Sequence, residues 1–228
     1  MNRLLQSCEG SALVEFTLVF PLFLLVAFGT VDFTYMLFDW DMANKATYLG
    51  ARTAVVSNPI ASGITSVTYT TTQLANLGLP CFNPDGTANG NCPAITSVVC
   101  TPAASSGGSC TGGYTFDDAA FTTILTQMRK AFPPVGAAAN RLQRQDVQIT
   151  YQTNGLGFVG RPAAFGGLPM DVTVSIRCMT HQFFFLGALM NWAFAAPPAG
   201  CPAGPSGPAI PAFATTLTSE VLVTYPWP

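Results

Sequence analysis

A run of sixteen uncharged, mostly apolar residues from Phe16 to Val31 (FTLVFPLFLLVAFGTV), entered through the carboxylate of Glu15, constrains this chain more than any other feature. Apolar character continues past Asp32 through Phe33, Tyr35, Met36, Leu37 and Phe38. Read as a helix from Ser11 to Phe38, the segment measures about 42 Å at roughly 1.5 Å per residue, enough for a bilayer core and one interface. A secretory signal peptide fits less well, because its apolar core is shorter, about 7–15 residues, and ends in a small-x-small cleavage site. Arg3 lies before the run, whereas Asp39 and Asp41 follow it, which favours a single span with the N-terminus inside and the C-terminus outside.

Glu15 is costly at the edge of a membrane helix and calls for a partner. Cleavage between Gly10 and Ser11 would make it the fifth residue of the mature chain, one helical turn from a new α-amino group. Amine and carboxylate of neighbouring subunits would then neutralise each other and set the axial register of an assembly. The alternative is that Glu15 complements the positive end of the helix near the headgroups. Pro21 removes the hydrogen bond to the Thr17 carbonyl, so a kink or a loosened turn is expected there.

The stretch from Gly10 to Leu22 (GSALVEFTLVFPL), with Gly29, Asp32-Phe33 and Gly50-Ala51-Arg52 after it, resembles the TadE-like family of tight-adherence (Flp) pilus proteins. The resemblance rests on a Gly-x-x-x-x-Glu-Phe core, here Gly10 with Glu15 and Phe16, and on a later Gly-Ala-Arg element. It covers about the first quarter of the chain. Membership implies a minor pilin or pseudopilin of the bacterial inner membrane, cut by a prepilin peptidase at Gly10–Ser11 and partnered by other pilin or pilus-assembly subunits. The implied organisation is a leader over 1–10, a transmembrane helix over 11–38, an extracytoplasmic extension over 39–56 and a periplasmic headpiece over 57–228.

Beyond the span, residues 39–56 (DWDMANKATYLGARTAVV) continue the helix, and Ala46, Gly50 and Ala54 form a small-xxx-small row that admits close backbone approach. That row packs either on the subunit's own headpiece or on a neighbour. Asn58-Pro59 ends the helix. Residues 57–113 read as loops, with one strand expected over 65–72. Asn83 to Asn91 superficially resembles a calcium loop, but with one carboxylate and no closing Glu it reads as turns.

Seven cysteines are present, and six follow the apolar run: Cys81, Cys92, Cys100, Cys110, Cys178 and Cys201. None forms a C-x-x-C pair and the chain has one histidine, so disulfides in an oxidising compartment fit better than zinc. Proximity suggests Cys81–Cys92, Cys100–Cys110 and Cys178–Cys201. Cys8 stands apart.

A helix is expected over 115–132, capped by Thr115, with Phe121, Ile124, Leu125, Met128 and Phe132 on its apolar stripe. Alternating patterns at 146–152, 171–178 and 218–225 predict antiparallel strands. The expected fold is therefore α+β: a long N-terminal membrane-spanning helix continuing into a small antiparallel-sheet headpiece with disulfide-rich loops. The apolar segment from His181 to Phe194 is too short to span a bilayer, leaving core, membrane surface or subunit contact.

Charged residues make up 9% of the chain and the net charge is −2, so no basic field for nucleic acid exists. No Gly-x-Ser-x-Gly, His-Glu-x-x-His or phosphate-binding glycine loop appears, and no enzyme activity, cofactor, metal or small-molecule substrate is expected. The leading function is a pilin-like assembly subunit. The alternative is a single-pass tether carrying an extracytoplasmic binding module.

Overall fold

The computed structural model of the chain describes residues 9–66, 68–93, 97–132, 142–154, 156–160, 169–181, 183–188, 201 and 212–219. Its dominant element is α1, one unbroken helix of 48 residues over Glu9–Val56. At about 1.5 Å per residue this is roughly 72 Å long. Pro21 sits inside it, and the helix runs on through that position.

After α1 come the short strand β1 (Ala61–Ser62), a single helical turn α2 (Thr71–Leu74), β2 (Val98–Pro102), β3 (Gly108–Cys110), β4 (Thr115–Phe116) and α3 (Asp118–Arg129). Three longer strands follow: β5 (Val147–Thr153), β6 (Met170–Ile176) and β7 (Phe213–Ser219). Five strands form one antiparallel sheet in the order β3-β2-β5-β6-β7, and β1 pairs with β4 separately. Register is set by pairs such as Ile149 with Val174 and Val174 with Thr215. The fold is α+β.

The C-terminal half of α1 lies across β6 and β7 and beside α3. Between these layers sit Phe121, Ile124, Leu125 and Met128 of α3, Ile149 and Tyr151 of β5, and Val172, Val174 and Ile176 of β6, all buried. Period-two alternation places those strand residues on one face, so the sheet presents a continuous apolar surface to the helices. Tyr151 carries its polar tip into this core, where its hydroxyl accepts the Ile60 N–H at 3.0 Å. Burial pushes the Tyr151 phenol well above its ordinary pKa, so it stays neutral.

Disulfides join Cys81 to Cys92, Cys100 to Cys110 and Cys178 to Cys201. Cys100 and Cys110 are direct cross-strand partners of β2 and β3, so this bridge closes the edge hairpin. Closing short loops of this kind contributes about 2–3 kcal/mol each by restricting the unfolded chain. The same hairpin is held to α3 by Arg144, which pairs with Asp118 and donates to the carbonyls of Ala103 and Gly107. The Gly107 N–H, with Arg144 adding to it, holds the Asp118 carboxyl below its usual range.

Several local expectations need correction. The described residues of 65–72 contain no strand; instead the Thr70 side chain caps α2 by accepting the Gln73 N–H. Thr115 is not the cap of α3. It pairs in β4 with Ser62, and Asp117 caps the helix by accepting the N–H groups of Ala119 and Ala120. The zone read as loops holds β2 and β3. The last described strand lies at Phe213–Ser219, upstream of 218–225, and Val221, Val223 and Tyr225 fall outside the described residues. Cys8 and residues 189–194 also fall outside them.

Candidate functional site

Two halves of α1 have opposite surroundings. From Leu13 to Val26 most of the apolar side chains are exposed, with Leu18 73% and Phe23 63% exposed. Apolar residues surround the helix on every side here, a pattern that suits lipid better than a boundary between water and a core. This is the single helix among the described residues that is long and apolar enough to cross a membrane, and its most apolar window has no cover from the rest of the protein. Its hydroxyls are answered within the helix: Thr17 donates to the Val14 carbonyl, Thr30 to Ala27 and Thr34 to Thr30.

From Ala43 onward the helix is packed. Ala43, Ala46, Ala51 and Ala54 are fully buried, and Gly50 is buried with them. A Cβ at Gly50 would lie 2.7 Å from Met128 Cγ and 3.1 Å from Val174 Cγ1. The small-residue row Ala46, Gly50, Ala54 thus faces the protein's own α3 and sheet. Polar contacts tie the same stretch to β7: Thr215 donates to the Thr47 hydroxyl at 2.9 Å, and Ser219 to the Val55 carbonyl at 3.4 Å.

Between the halves, two carboxylates of α1 hold a distant segment. Asp39 meets His181 Nδ1 at 2.7 Å, and both groups are buried. About two turns lower, the buried Asp32 carboxylate accepts three backbone N–H groups, those of Phe184, Phe185 and Leu186, at 3.1, 3.0 and 2.8 Å. Phe185 stacks on Phe28 with ring centres 4.4 Å apart, and Phe184 tilts against Tyr35. Leu186 packs beside Gly29, its Cδ1 at an ordinary contact distance of 3.6 Å from where a Cβ would be. The described part of the 181–194 segment is therefore not headpiece core beyond His181; Phe184 and Phe185 stay largely exposed.

Gly10 and Ser11 lie in the first turn of α1, and Glu15 and Phe16 are exposed one turn further on. Glu15 is far along the helix from every strand of the headpiece. The oxygen-rich stretch near Asp85 forms a turn in which Asp85 accepts from the Thr87 N–H and hydroxyl. Among the described residues no three His, Cys, Asp or Glu side chains gather as a metal site.

Residues 10–52 match the family model described as TadE-like protein. The N-terminal segment is similar to that family. No curated protein matches the chain, and no solved structure does. The matched segment runs from the first turn of α1, through the uncovered apolar half, to Gly50-Ala51-Arg52, where Gly50 and Ala51 are already inside the headpiece core and Arg52 is exposed. It therefore contains Glu15, the two carboxylates Asp32 and Asp39, and most of the small-residue row. Sequence reasoning singles out Glu15 and overlooks Asp32, Asp39 and His181 as a set. A signal is present: a second carboxylate inside an apolar helix also demands a partner.

Proposed function

We propose that this chain is a pilin-like subunit, a minor pilin or pseudopilin, required for assembly of a tight-adherence pilus. α1 anchors it across the bacterial inner membrane and the α+β headpiece stands in the periplasm. The observation that carries this reading is the TadE-like match over residues 10–52, centred on a helix whose first half the headpiece leaves bare. Its role is structural: the helix supplies an apolar shaft for lipid or neighbouring shafts, with Glu15 near its start, and the disulfide-closed headpiece is built onto the other end.

In this reading a prepilin peptidase removes residues 1–10. The new amine at Ser11 and the Glu15 carboxylate then offer neighbouring subunits opposite charges about one helical turn apart, within a low-dielectric region where such attraction is strong. Packing of Ala46, Gly50 and Ala54 on the protein's own headpiece supports a rigid link between shaft and head, so a force on one is transmitted to the other.

N-terminal sequencing of protein purified from membranes tests the proposal. The wild type should begin at Ser11, and the Gly10→Leu variant should retain the ten-residue leader and fail to restore pili in a deletion strain. A mature wild-type protein that keeps residues 1–10 would favour the tethered binding module instead.

A further inference from the structure

The assembly reading does not use the apolar surface that lies beside α1. Phe184 is 73% and Phe185 55% exposed, and no charged residue occurs between Gln182 and Phe194. These rings do not sit on the far side of the headpiece. They lie against α1 at Phe28 and Tyr35, inside the apolar half of the helix.

We infer that residues 183–188 form a second membrane contact, a shallow apolar loop seated in the headpiece-side leaflet next to α1. This rests on the reading of α1 as a membrane anchor. If the hydrocarbon core begins near Phe16, its roughly 30 Å thickness ends near Met36, at about 1.5 Å per residue. Asp32, sixteen positions beyond Phe16, then lies about 6 Å inside that boundary, within the depth of about 5–10 Å at which interfacial apolar segments bury. Tyr35 falls at the boundary itself and Trp40 one turn beyond it, where amphipathic rings prefer to sit.

Irregular backbone is tolerated at that depth only if its polar groups are satisfied. Here the Asp32 carboxylate accepts the N–H groups of Phe184, Phe185 and Leu186, so the loop enters an apolar medium with those three donors paired. The same bonds account for a carboxylate so close to the apolar run, because Asp32 is fully buried beneath the loop. The occupant that fits is lipid, since the exposed rings continue a belt that includes Phe28, Val31, Phe33, Leu37 and Phe38 around the helix. Two membrane contacts, shaft and loop, would fix the tilt of the headpiece over the bilayer, and both must withdraw when the subunit leaves it.

The test uses the full chain reconstituted in vesicles of phosphatidylethanolamine and phosphatidylglycerol, with photoreactive benzoylphenylalanine replacing one phenylalanine at a time. Position 20 reports on the shaft, position 185 on the loop and position 158, an exposed headpiece ring, on the background. Lipid adducts at 20 and 185 in comparable yield, with only background at 158, are the expected result. Adducts at 20 with a yield at 185 no greater than at 158, or with position 185 crosslinked to a second copy of the chain, overturn the loop contact and leave the anchor standing. Absence of lipid adducts at 20 overturns the anchor, and the loop contact with it.

Discussion

Asp39 on the long helix and His181, 142 residues further along, meet at 2.7 Å with each side chain only 3% exposed. The pair marks the point where α1 passes from bare shaft to packed core. It also fixes the start of the segment that Asp32 holds, so two acidic residues seven positions apart, on one side of α1, clamp a single strip of chain. The clamp joins the chain that follows β6 to a level of the helix well below the sheet.

Because both partners are buried, removing one takes this contact from the other in a poorly hydrated site. Asp39→Ala or His181→Ala should each lower stability by about 1–3 kcal/mol, the cost of taking a buried group's hydrogen-bond partner away. The double variant should lose little more than either single one, since the two changes remove the same interaction. Denaturant unfolding in detergent, followed by circular dichroism, reads both effects. Strictly additive losses would show that the two side chains act independently.

Gly50 is a point of very close approach between α1 and α3. Gly50→Val should cost about 1–3 kcal/mol by overpacking against Met128 and Val174. Met128 is the flexible neighbour, so Gly50→Val combined with Met128→Ala should cost less than the sum of the two singles. The same unfolding assay measures it, and an unchanged midpoint in Gly50→Val would contradict the packing described.

Asp146 gives the headpiece a pH dependence of definite sign. It is buried just before β5, and burial pushes its carboxyl above the usual range, with the Gln143 N–H at 2.8 Å acting the other way. The native state thus holds this proton to higher pH than the unfolded chain, where Asp titrates at about 3.9. Between those two values the native state binds more protons, so the contribution of Asp146 falls as pH rises through that window. Asp146→Asn can still accept the Gln143 N–H and does not ionise. Relative to that variant, the wild type should lose stability as pH is raised above about 4, until the native carboxyl has ionised. Denaturation midpoints of the two proteins across this range test it; a wild type that gains on the variant with rising pH would refute the assignment.

How much of the fold is legible in the sequence depends on how local the determining interaction is. The shaft, the end of α1 near Asn58-Pro59 and strands β5 and β6 follow from patterns within a few residues, such as Val147, Ile149, Tyr151 and Val172, Val174, Ile176. β7 escapes because its inward row is Phe213, Thr215, Leu217 and Ser219, half of it polar. Those hydroxyls bond to Thr47 and Val55 of α1, so the strand is satisfied by tertiary contacts that no periodicity records. β2 is hidden among Thr, Ser and Pro, and its inward positions are Val98, Cys100 and Pro102. The cap of α3 is displaced from Thr115 to Asp117 because both residues suit that position, and pairing of β4 with β1 decides between them. The clamp by Asp32 and Asp39 joins residues more than 140 positions apart, and local reading has no access to such a pair.

Glu15 carries the central claim. It lies on the bare shaft, remote from the headpiece, so replacing it should leave the fold and the disulfides intact. Loss of the charge also relieves a membrane cost of up to about 3 kcal/mol, so insertion should persist or improve. What should be lost is attraction to a neighbour's amine and the axial register it sets. The decisive measurement is a count of pili by electron microscopy in a Glu15→Gln strain, beside a blot for subunit level in the membrane. The account predicts a normal amount of subunit and no pili; normal pili at a normal subunit level would contradict it.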